Sequence, residues 1–401
     1  MQIRPKLPVP PPLRGADRGS FAEDTIKRRL PEIARRVLRE NDLQDATVAA
    51  IESLVAEMPY ALIRPLTDIH APDTAVWQPA IDRYRSQNWL EIPWFVAETY
   101  FFRRIIEAVD YFHTGLDPYR TQKEEALMQR LTAVPTLSHE LVLAQNAGWQ
   151  EDVFHRLLLA ALWGNQVDLS LWTTDAAEKP DHTDDKAKLA HVFVDESTAV
   201  TDHLYSLDQI RLDMLIDNAG PELLADLMLA DYLLTCGKVR QVNLHLKMFP
   251  TFVSDATPQD LAHTVDTLCK VEVEPVRLWG ERLVRAQADG RIQTHTHPFM
   301  TSPHPLWQMS DEFRRELAQA DLVISKGDAN YRRALGDAHW PFTTPFADVV
   351  SYLPTPILFL RVCKSNVLAG LTPDQLTTLN AQDINWVTSG RWGLLQWSID
   401  N

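Results

Sequence analysis

The apolar positions of this chain follow two regimes. From Phe21 to about Arg130 they recur at helical spacing. Ile26, Leu30, Ile33, Val37 and Leu38 mark one helix over Thr25 to Glu40, and Val48, Ile51, Leu54 and Val55 mark another over Asp45 to Glu57. Further helices are expected over Trp94 to Phe112 and Gln122 to Ala133, with no convincing period-two strand among them. Beyond this region, short apolar runs alternate with helical stretches, the signature of a parallel sheet with helices on its faces. Strands are expected at Ala190 to Val194, Leu212 to Ile216, Gln241 to Leu246, Leu322 to Ser325 and Ile357 to Val362. Helices are expected at Glu151 to Trp163, Pro221 to Thr235, Pro258 to Cys269 and Asp311 to Gln319. Arg291 to Trp307, crowded with His, Pro and Thr, reads as a loop.

The pattern predicts an α/β protein: an α/β/α sandwich with a mainly parallel sheet, preceded by an all-helical domain. The run Pro8 to Pro12 makes residues 1–20 an extended arm. The helical domain is expected over 21–140 and the α/β/α domain over 141–401. A chain of 401 residues is comfortable for two domains.

Composition narrows the partners. The chain carries 54 acidic residues against 39 Lys and Arg, a formal net charge of −15. That argues against a nucleic-acid surface, which must be basic. A phosphate site here has to be a local cluster of cations or metal. Cys236, Cys269 and Cys363 lack the spacing of a zinc or redox site and suit a reducing compartment as small buried apolar groups. No run of about 18 apolar residues predicts a membrane span. The arm lacks the apolar core of a signal peptide, so the cytoplasm is the expected location.

In an open parallel sheet, ligands bind beyond the carboxyl ends of the strands. The strand ending at Ile216 runs into Asp217, Asn218, Ala219 and Gly220 before a helix opens at Pro221. Asp217 and Asn218 offer the oxygen donors a hard divalent cation takes, and each also suits a helix cap. The strand ending at Leu246 leads through Lys247 to Asp255, again either a ligand or a cap. Together these turns supply two carboxylates and an amide, with Lys247 beside them as a point charge for phosphate. After Ser325, Gly327 permits a close approach of backbone to ligand, and Asp328, Asn330 and Arg332 add an acid, an amide and a guanidinium. Arg361 interrupts an apolar strand that leads to Lys364, which is costly unless the guanidinium meets an anion. Four strand ends carrying cations or oxygen ligands point to one shared site for metal-assisted phosphate-ester hydrolysis. Asn165 and Glu98 are further candidates to face the cleft, with a turn and a solvated helix face as their alternatives. His295, His297 and His304 read as a polar loop rather than a zinc site.

Several ordered stretches resemble the damage-control phosphatase family, in its branch with an Arg-x-x-Lys signature. They are Glu91-Ile-Pro-Trp-Phe-Val-Ala-Glu-Thr-Tyr100, Leu162-Trp-Gly-Asn-Gln-Val-Asp-Leu-Ser170 and Asp217-Asn-Ala-Gly-Pro-Glu-Leu-Leu-Ala-Asp226. They continue in Lys247-Met-Phe-Pro-Thr-Phe-Val-Ser-Asp255, Asp321-Leu-Val-Ile-Ser-Lys-Gly-Asp-Ala-Asn-Tyr-Arg332 and Arg361-Val-Cys-Lys364. The resemblance implies a helical domain on an α/β/α sandwich and a divalent metal: manganese, cobalt, nickel or magnesium. It implies Asp217, Asn218 and Asp255 as metal ligands. Asp328, Asn330, Tyr331, Arg332 and Lys364 then fall on substrate-phosphate contacts, and the substrates resemble sugar phosphates such as fructose 1-phosphate. Val362 stands where the family usually has Thr, Ala329 for Leu and Pro221 for an aromatic residue, and these departures spare the metal ligands.

Two other readings compete. An S-adenosylmethionine-dependent carboxyl methyltransferase predicts a glycine-rich turn after the first strand, which the sequence lacks. A non-catalytic sugar-phosphate binding protein predicts phosphate affinity without turnover.

Overall fold

The structure, a computed structural model, describes residues 3–131, 139, 142, 146, 148–164 and 191–399. Among the described residues seven strands form one sheet in the order β1-β7-β6-β5-β2-β3-β4. They are β1 (Val192–Asp195), β2 (Ile210–Leu215), β3 (Val239–Leu246), β4 (Ile292–Thr296), β5 (Leu322–Lys326), β6 (Ile357–Val362) and β7 (Gly393–Ser398). Of the pairs among these strands, β6–β7 is antiparallel and the others run parallel. This is the expected mainly parallel sheet.

Side chains along the central strands alternate between two cores, as the pleat requires. Leu322, Ile324, Leu358 and Leu360 face one core with the helices Glu151–Trp163, Pro221–Thr235, Pro258–Lys270 and Glu274–Ala288. Val323, Ile357 and Phe359 face the other core, which continues into the helical region through Trp77, Trp94, Tyr100 and Phe101. Helix Pro221–Thr235 is buried along its length from Pro221 to Leu234, which explains a sequence apolar on nearly every face.

Residues 3–131 hold helices and isolated bridges, with no strand among them. The first expected helix is interrupted: Thr25–Arg29 forms a π-turn ahead of the α-helix Leu30–Glu40. Pro31 lacks the N–H that a regular ladder would use there. The proline-rich arm lies along the α/β region, with Pro12 bridged to Ala338 and Leu13 buried.

One expectation fails. Residues expected to be a loop at Arg291 to Trp307 begin with strand β4. Its Ile-Gln-Thr-His-Thr pattern buries Ile292 but leaves its polar residues exposed or half-buried, because among the described residues β4 is an edge strand paired with β3 alone. Strand β7, helix Glu274–Ala288 and helix Gly327–Leu335 carried no sequence expectation.

Sheet order locates the crevice. The chain leaves β2 for β3 and β4 on one side, then returns to β5 on the other. The ends of β2 and β5 therefore flank the topological switch point, where open sheets bind ligands.

Candidate functional site

The two acidic loops expected to converge are joined by backbone. Asn218 and Asp255 form an antiparallel bridge. Ala219 N donates to Ser254 O at 2.7 Å, and Ala256 N donates to Asp217 O at 2.8 Å. Neither loop spends its acids on capping. Gly220, at φ +68°, is the N-cap of helix Pro221–Thr235, which has no side-chain cap, while helix Pro258–Lys270 is closed by a Thr257–Asp260 capping box. Both acids are nearly inaccessible, with Asp217 7% and Asp255 1% exposed.

The Asp255 loop holds unusual backbone. Phe252 and Val253 have φ of +48° and +70°, sparsely occupied values for residues with a Cβ, above all for a β-branched one. Packing holds the loop there, since Phe252 lies 5.2 Å from Phe102 and 6.2 Å from Phe95, both on the helix Trp94–Ala108. The helical region thus shapes the presentation of Asp255.

Gly327 opens the helix after β5 with φ +85°. A Cβ there would lie 1.9 Å from Asp217 Oδ2. The carboxylate occupies the space a side chain would fill, so this glycine is required both by conformation and by close approach.

The charges around the acids are arranged tightly. Lys247 Nζ donates to Ile216 O at 2.9 Å and stands 3.0 Å from Asp255 Oδ2, an ion-pair contact without hydrogen-bond alignment. Asn218 Nδ2 donates to Asp217 Oδ2 at 2.9 Å and Glu222 Oε2 at 2.7 Å, while Asn218 Oδ1 accepts from Ser254 Oγ at 2.5 Å. Burial, reinforced by the Asp255 and Glu222 carboxylates, drives Asp217 well above the usual carboxylate range. Burial also lifts Asp255, against the pull of Lys247. Two crowded acids that resist ionising together are what a cation would relieve.

The donor set fits such a cation. Among the described residues Asp217 Oδ1 and Asp255 Oδ2 are buried without a hydrogen bond, Asp255 Oδ2 facing Lys247. Among the described residues no three His, Cys, Asp or Glu side chains gather as a metal cluster. The candidate set is therefore two carboxylates and the Asn218 amide, hard oxygen donors of the kind magnesium and manganese take, with coordination positions left open.

A small cavity at the strand ends is lined by Asp217, Asn218, Glu222, Asp328 and Lys364, with Leu162 and Trp163 as an apolar wall. Lys364 is exposed there. Asp328 Oδ1 accepts from Arg361 Nε at 2.8 Å and from Ser365 Oγ at 3.0 Å. Burial opposes its ionisation, but Arg361, with Arg332 behind it, holds the carboxyl below its ordinary value.

Other expected site residues are committed inside the protein. Lys247 is buried against Asp255. Asn330 donates to Lys326 O at 2.9 Å, and Tyr331 donates its hydroxyl to Gln396 Oε1 at 2.8 Å. Arg332 pairs with Glu98 at 2.7 Å and Asp337 at 2.8 Å, and stacks 3.6 Å over the Trp94 ring. Arg361 is fully buried. Asn165 lies outside the described residues. The three histidines keep separate partners: His295 with Glu316, His297 with Phe299 N, and His304 with Gln308.

Glu222, which lines the cavity and accepts from Asn218, carried no expectation as a site residue. Lys326, whose Nζ donates to Glu222 Oε1 at 2.9 Å and lies 2.9 Å from Asp226 Oδ1, carried none either, and its signal in the sequence is a lysine directly after the run Leu322-Val323-Ile324-Ser325.

The profile of the damage-control phosphatase ARMT1-like domain matches residues 25–379. The chain belongs to this family. Membership in the damage-control phosphatases makes it a hydrolase. The mouse damage-control phosphatase ARMT1 is 32% identical over 435 residues, covering 96% of this chain and 97% of its own. The rat protein of the same name is 31% identical, covering 96% and 97%. The human one is 29% identical, covering 97% and 98%. A DUF89 family protein from Pyrococcus horikoshii, 14% identical, covers 86% of this chain and 91% of its own with a TM-score of 0.46, a likeness too weak to carry an argument. Among the described residues no helix is long and apolar enough to cross a membrane.

Proposed function

We propose that this chain is a metal-dependent phosphatase of small phosphorylated metabolites, with Asp217, Asn218 and Asp255 as the ligands of a divalent manganese, cobalt, nickel or magnesium ion. Sugar phosphates such as fructose 1-phosphate are the proposed substrates. The observation that carries this reading is the bridge between Asn218 and Asp255, which sets both acidic loops at one point beside Asp217 Oδ1, a buried oxygen without a hydrogen bond among the described residues. When bound, the cation supplies Lewis-acid charge to a phosphoryl oxygen.

The chain's own groups do the rest. Lys364 stands exposed at the rim as a cation for phosphate. Arg361 and Ser365 fix Asp328 as a carboxylate lining the cavity. Leu162 and Trp163 keep water from one side. Lys247 holds Asp255 in place from behind.

The test is a phosphatase screen of sugar phosphates with each of the four metals, beside an Asp217→Ala variant. Phosphate release is expected with added metal and is expected to vanish in the variant. Equal release by parent and variant, or none under any condition, refutes the proposal. The methyltransferase reading gains no support, since β1 passes through Glu196 directly into helix Ser197–Tyr205 without a glycine-rich turn.

A further inference from the structure

Behind the candidate metal loop lies a buried chain of charges that ligand chemistry alone does not require. Lys326, the last residue of β5, is 1% exposed. Its Nζ donates to Ala161 O at 2.7 Å and Glu222 Oε1 at 2.9 Å. Asp226 Oδ1 lies a further 2.9 Å away, at an angle that makes it an ion pair rather than a hydrogen bond. The ammonium is thereby held on three sides. Glu222 is pinned at both ends, by Lys326 at one oxygen and by Asn218 Nδ2 at the other, 2.7 Å away.

We propose that Lys326 and Glu222 are positioning residues that fix the orientation of the Asn218 side-chain amide. The inference rests on the metal site proposed above. Both Glu222 carboxyl oxygens accept hydrogen bonds, Oε1 from Lys326 Nζ and Oε2 from Asn218 Nδ2. Held by Lys326, Glu222 draws the Asn218 nitrogen toward helix Pro221–Thr235. The amide oxygen then faces the neighbouring loop, where Ser254 Oγ meets it at 2.5 Å, next to Asp255 in sequence. Asp217 Oδ2 accepts from the same nitrogen at 2.9 Å, and Glu222 is the second, shorter contact that keeps it there; the two ends of an amide are nearly equivalent in shape, and the wrong one would present a donor to a cation. The adjacent residue serves the same dipeptide, because Gly327 makes room for Asp217. The end of β5 is thus built around both halves of Asp217–Asn218.

The test reads metal affinity, not turnover. Free Mn2+ is followed by electron paramagnetic resonance during titration of the parent, Asp217→Ala, Glu222→Gln, Lys326→Met and the Glu222→Gln/Lys326→Met double variant. Each fold is checked by metal-free thermal melting. Glu222→Gln keeps the shape but can offer either a donor or an acceptor. It is expected to weaken Mn2+ binding by about tenfold or more, the usual effect of losing a partner behind a ligand. The double variant is expected to bind no more weakly than the weaker single variant, since both break one relay. Folded Glu222→Gln protein that binds Mn2+ as the parent does overturns the proposal, and so do independent, multiplying losses in the double variant. Should Lys326→Met fail to fold, the isosteric Glu222→Gln variant decides alone. If the parent itself binds no Mn2+, or Asp217→Ala binds as well as the parent, the metal site fails and the relay with it. If those controls behave and Glu222→Gln is unaffected, only the relay falls.

Discussion

Asp217 packs into the space that a side chain on Gly327 would occupy, with its Oδ2 1.9 Å from the position of the missing Cβ. The ends of β2 and β5 are therefore matched at the level of single atoms. Gly327→Ala would force a left-handed residue, at a cost of about 1–2 kcal/mol, and would also displace the acid. Denaturant unfolding is expected to give a loss larger than that conformational cost alone, and Mn2+ titration a large loss of affinity.

Lys364 offers the cleaner dissection, because it is exposed at the rim while Asp217, Glu222 and Arg361 are buried and Asp328 is half-buried. Lys364→Ala is expected to lower kcat/KM for a sugar phosphate by about 10- to 100-fold, the worth of a charge-assisted hydrogen bond. Unfolding free energy should stay within about 0.5 kcal/mol of the parent.

Arg332 ties the helical region to the helix that starts at the site, through Glu98, Asp337 and the Trp94 ring. Arg332→Met leaves two buried carboxylates without their cation. Denaturant unfolding is expected to show a loss of about 3–5 kcal/mol, the cost of breaking a buried pair from one side.

Stability should also carry a pH signature away from the site. Asp195 on β1 pairs with His155 on helix Glu151–Trp163 at 2.9 Å. Burial acts upward on Asp195, but His155 and Ser197 overcome it and hold the acid at about 2, below the ordinary 3.8. The hydrogen bond to Asp195 raises His155 above its ordinary 6.5. The acid's contribution is present above 3.8 and fades as pH falls toward 2. The histidine's contribution is full below 6.5 and fades as pH rises through its raised value. The stability gap between parent and Asp195→Asn, measured by urea unfolding across pH, is expected to peak between 3.8 and 6.5 and shrink on both sides.

Much of this was legible in the sequence because strand ends dictate where a parallel sheet keeps its chemistry. The alternation of apolar runs with helices gave the sheet, and Asp217, Asn218 and Asp255 stood out as polar residues just past buried strands. Strand β4 was missed because an edge strand needs little apolar surface, and Ile292 alone does not outweigh the surrounding His and Thr. Tyr331, Arg332 and Arg361 could be expected near the site, but sequence does not reveal that Gln396, Glu98, Asp337 and Asp328 already occupy them. Their partners lie up to 234 residues away along the chain. Glu222 was hidden for the opposite reason, since an acid in a first helical turn has an ordinary local explanation.

We propose that oxygen atoms of Asp217, Asn218 and Asp255 hold one cation between the ends of β2 and β3. Anomalous diffraction from crystals grown with Mn2+ addresses this directly. A strong anomalous peak is expected in contact with all three side chains, and it should be absent from Asp217→Ala crystals grown the same way. A peak elsewhere, or none with the two loops still bridged, would contradict the account.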